Sequence, residues 1–285
     1  MSRIVYLNGE WLPEEEAKVS IFDRGYLFAD AIYEVTCVLD GKLLDYAGHS
    51  ARLKRSTAAI DMKMPVSEEE LLALHREIVT RNNIEQGLIY LQVSRGNAGD
   101  RDFMFDNKTT PTFLMFTQKK NVIDTPTGKK GITVATVEDL RWGRCDIKTT
   151  QLLYPSLAKM EAHEKGADDA WLVRDGYITE QSSATAYIVT ADDIVVTRPL
   201  SHAILPGITR ASALEIAARN GVKVEERAFT VEEAKAAKEA FYTSASNFVT
   251  PVIAIDGQPV GDGKPGALSL KLRELYIENR RAGAI

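Results

Sequence analysis

The 285-residue sequence predicts a mixed α/β protein, α+β in character, built as two domains. Segments with the two-residue period of strands alternate with segments of helical period in both halves of the chain. Three turn dipeptides, Asn8-Gly9, Asp40-Gly41 and Asp175-Gly176, each stand between strand-like runs, where tolerance of positive φ closes a hairpin. Residues 119–131, KKNVIDTPTGKKG, combine Pro, Gly and like charges without periodicity and mark a boundary. The expected division is a small N-terminal α/β domain over 1–120, a linker over 121–130 and a larger C-terminal α/β domain over 131–285.

Taken in order, IVYL alternates into Asn8-Gly9 and resumes as Glu10-Trp11-Leu12, so the chain opens with strands. AIYEVTCVLDGKLL repeats that pattern, and HSARLKRSTAAI then takes helical spacing. A second helix starts at Ser67, whose hydroxyl, with Glu70, forms a capping box for first-turn N–H groups. Strands follow over 88–94 and 112–117. Beyond the boundary come the strand GITVATVEDL, a helix around SLAKMEAHEKG, the hairpin AWLVRDGYIT, the strand TAYIVT and the helix ASALEIAARNG. The strands VKVEERAF, AFYTSA and PVIAI and the helix ALSLKLRELYIENR complete the chain, with no internal repeat. Folds of this kind place ligands in the crevice between domains, so function is expected near the boundary.

Composition narrows the function classes. Hydrophobic residues make up 45% of the chain, and 35 basic residues against 40 acidic ones give a formal charge of −5 without charge runs. No nucleic-acid or acidic-membrane partner is expected. Cys37 and Cys145 stand far apart with no CxxC spacing, which points to neither a disulfide scaffold nor a zinc site and fits a reducing compartment. The N-terminus turns polar before an apolar signal region forms, and the expected location is cytoplasmic. His49, His75, His163 and His202 show no clustered ligand spacing, so no metal is expected. Gly261-Asp262-Gly263-Lys264-Pro265-Gly266 matches GxGxxG, but lies outside any βαβ unit and reads as a loop; a non-catalytic nucleotide-binding module built on it is the alternative from another functional class.

Three features carry chemistry. Lys148 stands among β-branched residues after a strand leading inward. A half-buried lysine there can lose its proton and attack a carbonyl carbon to form a Schiff base, whereas the commoner case for such a position is a solvated lysine on an edge strand. In LPGITR, Pro206-Gly207 breaks the chain before a helix beginning at Ile208 or Thr209, and its free N–H groups either receive a phosphate or bind only water. Glu180 ends a strand before a hydroxyl-rich turn, where a carboxylate either keeps a ring nitrogen protonated or is solvated. A nucleophilic lysine, an anchored phosphate and a carboxylate for a ring nitrogen are together what a protein contributes to pyridoxal phosphate chemistry.

The blocks DRGYLFADAIYEV, HSARL, RWGRCDIKTTQLL, LAKMEAHEKGADDAWL, ITEQSS, LPGITR and YTSASNFVTPV occur in that order along nearly the whole chain. On them the chain resembles the D-amino acid aminotransferases of the branched-chain aminotransferase-like class, pyridoxal phosphate fold type IV. The resemblance implies a homodimeric enzyme with pyridoxal 5'-phosphate between its two domains. It implies that Lys148 forms the Schiff base and shuttles the Cα proton, and that Glu180 pairs with the pyridine nitrogen. Arg52 would bind the cofactor phosphate together with Ile208 and Thr209 at the helix start and the backbone N–H of Ala245. Tyr33 would lie close to the substrate carboxylate.

The chain also departs from the family. Where many D-amino acid enzymes carry an Arg-x-His pair that traps the α-carboxylate, this chain has RGNAGDRDFMFD: Arg101 aligns with the arginine after one extra residue, Phe103 takes the histidine place and Asp106 a proline place. The family's EGSSSN becomes Glu180-Gln181-Ser182-Ser183-Ala184-Thr185. The expected activity is ping-pong transfer of an amino group between a D-amino acid and a 2-oxo acid, 2-oxoglutarate or pyruvate. A branched-chain L-amino acid aminotransferase, an (R)-amine transaminase and aminodeoxychorismate lyase share the fold and stand as alternatives.

Overall fold

The computed structural model describes residues 2–106 and 108–285. The chain divides into two compact units. The first comprises Met1–Asn121, Ile147–Gln151 and Gly283–Ile285, and the second Val122–Asp146 and Leu152–Ala282. Lys148 therefore belongs with the N-terminal unit although it lies well beyond residue 121 in sequence. Backbone bonding explains this, because the Lys148 carbonyl accepts from the Tyr33 N–H at 3.0 Å and the Thr150 N–H donates to the Ala31 carbonyl at 3.0 Å.

In the first unit, strands β1 (Ile4–Leu7), β2 (Glu10–Pro13), β3 (Ala31–Leu39), β4 (Lys42–Leu43), β5 (Gln86–Ser94) and β6 (Thr112–Lys119) form an antiparallel sheet in the order β2-β1-β6-β5-β3-β4. The β1–β2 turn has Asn8 at φ 50 and Gly9 at φ 100, the conformation a two-residue hairpin requires. Helices α1 (Arg24–Phe28), α2 (Tyr46–Ala58) and α3 (Glu68–Asn82) accompany the sheet. Ser67 caps α3, its Oγ accepting from the Glu70 N–H at 3.1 Å, with three glutamates in the first turn complementing the helix dipole. Sequence reasoning did not identify α1, whose five residues are too few for a helical period; Asp23 starts it by accepting from the Gly25 N–H at 2.7 Å.

The second unit is a mixed nine-stranded sheet. Its strands are β7 (Ile132–Glu138), β8 (Asp169–Arg174), β9 (Tyr177–Gln181), β10 (Thr185–Val189), β11 (Val195–Thr197), β12 (Val224–Glu226), β13 (Glu239–Ser244), β14 (Phe248–Ile255) and β15 (Gln258–Pro259). The order is β12-β11-β10-β13-β14-β7-β8-β9, with β15 on β14. The pairs β7–β8, β7–β14 and β11–β12 are parallel. Helices α4 (Pro126–Lys130), α5 (Leu153–Glu164), α6 (Ile208–Arg219), α7 (Val231–Lys235) and α8 (Ala267–Ala282) belong to this unit. Its larger core gathers Trp171, Ile178, Ile188, Phe229, Tyr242 and Ile255. A second cluster packs Ala158 and Ala162 of α5 on Ala135, Val137 and Leu172 of the sheet. The inward face of α5 is therefore made of alanines, while Leu153, Leu157 and Met160 point outward.

One irregularity in this sheet positions Glu180. Trp171 pairs with Gln181 and Val173 with Ile178, so two residues of β9 stand opposite Leu172 alone. Such a bulge breaks the strict alternation of a strand and re-aims side chains. Thr179 and Glu180, which would otherwise face opposite sides, both reach the same arginine.

Candidate active site

In the first unit, β3 supplies Tyr33 and Glu34 to opposite faces. Tyr33 is half-buried and stacks on Tyr90, with ring centroids 5.6 Å apart. The Nζ of Lys148 lies 4.0 Å from the Tyr33 ring centroid, and the Lys148 side chain is itself half-buried. Among the described residues no carboxylate pairs with it. On the other face Glu34 is buried beneath α2, where Arg52 donates through Nε and Nη2 at 2.7 and 2.8 Å and His49 Nδ1 lies at 2.8 Å. Burial alone would push the Glu34 carboxyl up, but Arg52 and His49 reverse this and hold it far below the usual carboxylate range. The bidentate pair fixes the plane of the Arg52 guanidinium.

The same unit holds Arg101, which is exposed. Its guanidinium lies 5.1 Å from the ring centroids of both Phe28 and Phe103. Its loop is tied down from behind. Arg24 donates to the carbonyls of Asp102 at 2.6 Å and Phe103 at 3.4 Å, and Asp30 bridges Arg24 and Arg95 at 2.9 and 2.7 Å. Phe105 lies under the Arg95 guanidinium at 3.7 Å. Among the described residues Arg101 makes no hydrogen bond or cation–π contact with Tyr33 or Lys148.

In the second unit, Glu180 is buried rather than solvated. Arg141 Nη1 donates to its Oε2 at 2.6 Å and the Leu205 N–H to its Oε1 at 3.1 Å. Desolvation raises the proton affinity of Glu180, and Arg141 opposes that rise without cancelling it. Behind the strand, Asp169 accepts from Ser182 Oγ at 2.5 Å and Gln181 Nε2 at 3.1 Å, so Gln181, at the family's glycine position, is a buried and bonded residue here. Thr209 is buried at the start of α6, which has Gly207 as its N-cap with no side-chain cap bond. A Cβ at Gly207 would come within 3.0 Å of Thr185 Oγ1 and 3.2 Å of Arg210 Cβ, so glycine keeps this helix start open. Thr185 pairs with Thr243, and the next residue, Ser244, has a buried Oγ with no hydrogen-bond partner among the described residues. Ala245 follows in the turn between β13 and β14.

The GDGKPG segment is a loop leading into α8. Glu239 occupies the start of that helix, accepting from the N–H groups of Leu268 and Ser269 at 2.9 Å each. A carboxylate already sits where a nucleotide phosphate would have to bind.

Comparison with known proteins decides the family. Residues 31–255 match the model of the amino-transferase class IV family. This chain belongs to the class IV aminotransferases. The class IV aminotransferase is 41% identical over 281 residues to a D-alanine aminotransferase of Staphylococcus aureus, covering 96% of this chain and 98% of that one. It is 39% identical over 267 residues to the D-alanine aminotransferase of Bacillus licheniformis, covering 93% of each. In three dimensions it is similar to the branched-chain aminotransferase of the thermophilic archaeon Thermoproteus uzoniensis solved with norvaline, at a TM-score of 0.86 and 26% identity, over 97% of this chain and 94% of that one. The fold is therefore that of fold type IV aminotransferases.

The residues present fit pyridoxal phosphate. In the second unit an uncapped helix start and an unpartnered buried hydroxyl suit a phosphate group and a buried carboxylate suits a ring nitrogen; in the first, a half-buried lysine without a carboxylate partner among the described residues suits an aldehyde. Sequence reasoning missed Arg141, Asp139, Glu34, His49 and Ser244. Arg141 lies inside the block RWGRCDIKTTQLL, but its partner stands 39 residues away and nothing local signals the pairing.

Proposed function

We propose that this class IV aminotransferase moves an amino group between a D-amino acid and a 2-oxo acid, 2-oxoglutarate or pyruvate, in a ping-pong exchange that depends on pyridoxal 5'-phosphate. The observation that carries the reading is the Lys148 Nζ against Tyr33, in a chain 41% identical over nearly its full length to a D-alanine aminotransferase. The likeness to the branched-chain enzyme has the same fold but only 26% identity, which favours the D-amino acid reading. When bound, the cofactor supplies the electron sink for charge developing at the substrate Cα.

Lys148 would hold the cofactor through its Nζ and would take and return the substrate Cα proton. Glu180 keeps the ring nitrogen protonated. Arg52, the N–H groups of Ile208, Thr209 and Ala245, and the Ser244 hydroxyl receive the phosphate. Tyr33 and Arg101 grip the substrate carboxylate, and Phe103 leaves out the hydrogen bond that a histidine would give. Losing one charge-assisted contact costs about 1.5–3 kcal/mol, or about one to two decades in specificity, so weak substrate affinity and tolerance of (R)-amines follow.

The reading includes a homodimer in the cytoplasm. The exposed stripe Leu153, Leu157 and Met160, at 74%, 55% and 56% exposure over an alanine-packed face, supports a covered surface on α5. Cys37 and Cys145 are free and buried, in keeping with a reducing compartment. Among the described residues no helix is long and apolar enough to cross a membrane.

Lys148→Ala tests the chemistry. The variant should retain cofactor through the phosphate contacts and lose multiple-turnover transamination. Sustained turnover by contaminant-free variant would overturn the assignment.

A further inference from the structure

Glu180 is bonded at both oxygens within its own unit, and the stronger bond, 2.6 Å, comes from a guanidinium. That guanidinium is built in. Asp139 takes its Nε and Nη2 at 2.9 Å each, and the Ala203 carbonyl and Thr179 Oγ1 take Nη2 at 3.1 and 3.3 Å. Asp139 is held in turn by Thr179 Oγ1 at 2.7 Å and Arg174 at 3.2 Å. Side-chain exposure along Asp139, Arg141 and Glu180 is 0%, 10% and 6%, so the chain of charges is screened little by water. Asp139 also faces the pair and adds to the negative side, whereas burial pushes the Cys145 thiol up and leaves it uncharged.

A proton shared between a pyridine nitrogen and a carboxylate rests on the stronger base. An uncompensated buried carboxylate is a strong base, because desolvation disfavours its anion. It would draw the proton onto oxygen and leave the ring neutral, a poorer electron sink. A guanidinium in contact with the carboxylate stabilises the anion and returns the proton to nitrogen. Asp139 fixes the arginine and offsets part of its charge, so Glu180 remains basic enough to accept a hydrogen bond from the ring.

We propose that Arg141 is a positioning residue that holds the Glu180 carboxylate ionised and aimed, so that the cofactor ring nitrogen carries the shared proton. The proposal rests on the reading of Glu180 as the ring-nitrogen partner. The device only sets where one proton rests: the O–H bond on Glu180 gives way to an N–H bond on the ring, with no change of oxidation state and no other bond altered.

The test reconstitutes wild type, Arg141→Met, Arg141→Gln, Arg141→Lys and Glu180→Gln with pyridoxal phosphate labelled with 15N in the ring. It reads the ring nitrogen's chemical shift and the single-turnover rate with D-alanine. Wild type should show a protonated nitrogen. Arg141→Met and Arg141→Gln should move the signal toward neutral pyridine and slow the single turnover roughly 10- to 100-fold with cofactor still bound, about 1.4–2.8 kcal/mol. Arg141→Lys, which keeps the charge, should keep the nitrogen protonated. A protonated nitrogen in whichever neutral variant folds would overturn the proposal, even if the rate falls, since a merely structural arginine would slow the enzyme without moving the proton. A neutral nitrogen in folded Arg141→Lys would overturn it as well. A protonated nitrogen in Glu180→Gln would instead remove the underlying assignment of Glu180.

Discussion

In the proposed reading, the buried Glu34–Arg52 pair joins stability and cofactor binding in one side chain. Removing one partner of a buried ion pair leaves an uncompensated charge, at about 3–5 kcal/mol. Arg52→Ala should therefore destabilise the cofactor-free protein as well as weaken cofactor retention. The double variant Arg52→Ala/Glu34→Gln separates the two effects, because the neutral amide no longer needs a cation. Its melting temperature without cofactor should recover most of the loss, while its dissociation constant for pyridoxal phosphate, read by fluorescence quenching, should stay at least 10-fold above wild type. Recovery of cofactor affinity along with stability would show that Arg52 serves the fold alone.

At the scale of elements, the turn carrying Ala245 is held by a helix distant in sequence. Phe248, fully buried, adopts φ 59 at the start of β14, a conformation that costs a bulky residue about 1–3 kcal/mol. Arg273 of α8 holds it in place, donating to the carbonyls of Asn247 at 2.6 Å and Val249 at 2.8 Å on either side, and to Ile123 at 3.0 Å. Arg273→Leu should lower unfolding stability by about 3 kcal/mol in urea titration and weaken cofactor affinity through the loosened turn. An unchanged affinity would detach this turn from the phosphate. Local signals made much of this architecture readable: Asn8-Gly9 and Asp40-Gly41 take positive φ, Ser67 caps α3, and α6 begins at Ile208. Short or non-periodic pieces were not readable, among them α1 and β11, and neither was the bulge that turns Thr179 and Glu180 toward one arginine. The blocks around Lys148 and Glu180 made the family legible, whereas partners such as Arg141 and Glu34 depend on tertiary pairings that no spacing in the sequence encodes.

For the whole molecule, His75 sets an acid limit on stability. It is buried against Tyr46 and bonded through Nδ1 to the Leu71 carbonyl at 2.8 Å, and desolvation lowers its pKa to about 4. Above about 6.5 neither folded nor unfolded chain holds this proton and the group contributes nothing. Below that, the unfolded chain binds the proton first, so stability falls with pH until the folded value is reached. Between pH 6.5 and 5 the loss is about 1.6 kcal/mol, and urea midpoints of His75→Phe should change less over this interval than those of wild type. Glu34, held low, adds a further loss only as pH falls below the ordinary carboxylate range. The central claim, that these groups together run D-amino acid transamination, meets its most direct test in the half-reaction. Cofactor-loaded enzyme is mixed with D-alanine or L-alanine and the cofactor absorbance is followed. Conversion with the D enantiomer at a rate at least 100-fold above the L enantiomer, with one equivalent of pyruvate released per site, is the predicted result; conversion by L-amino acids alone would contradict the account.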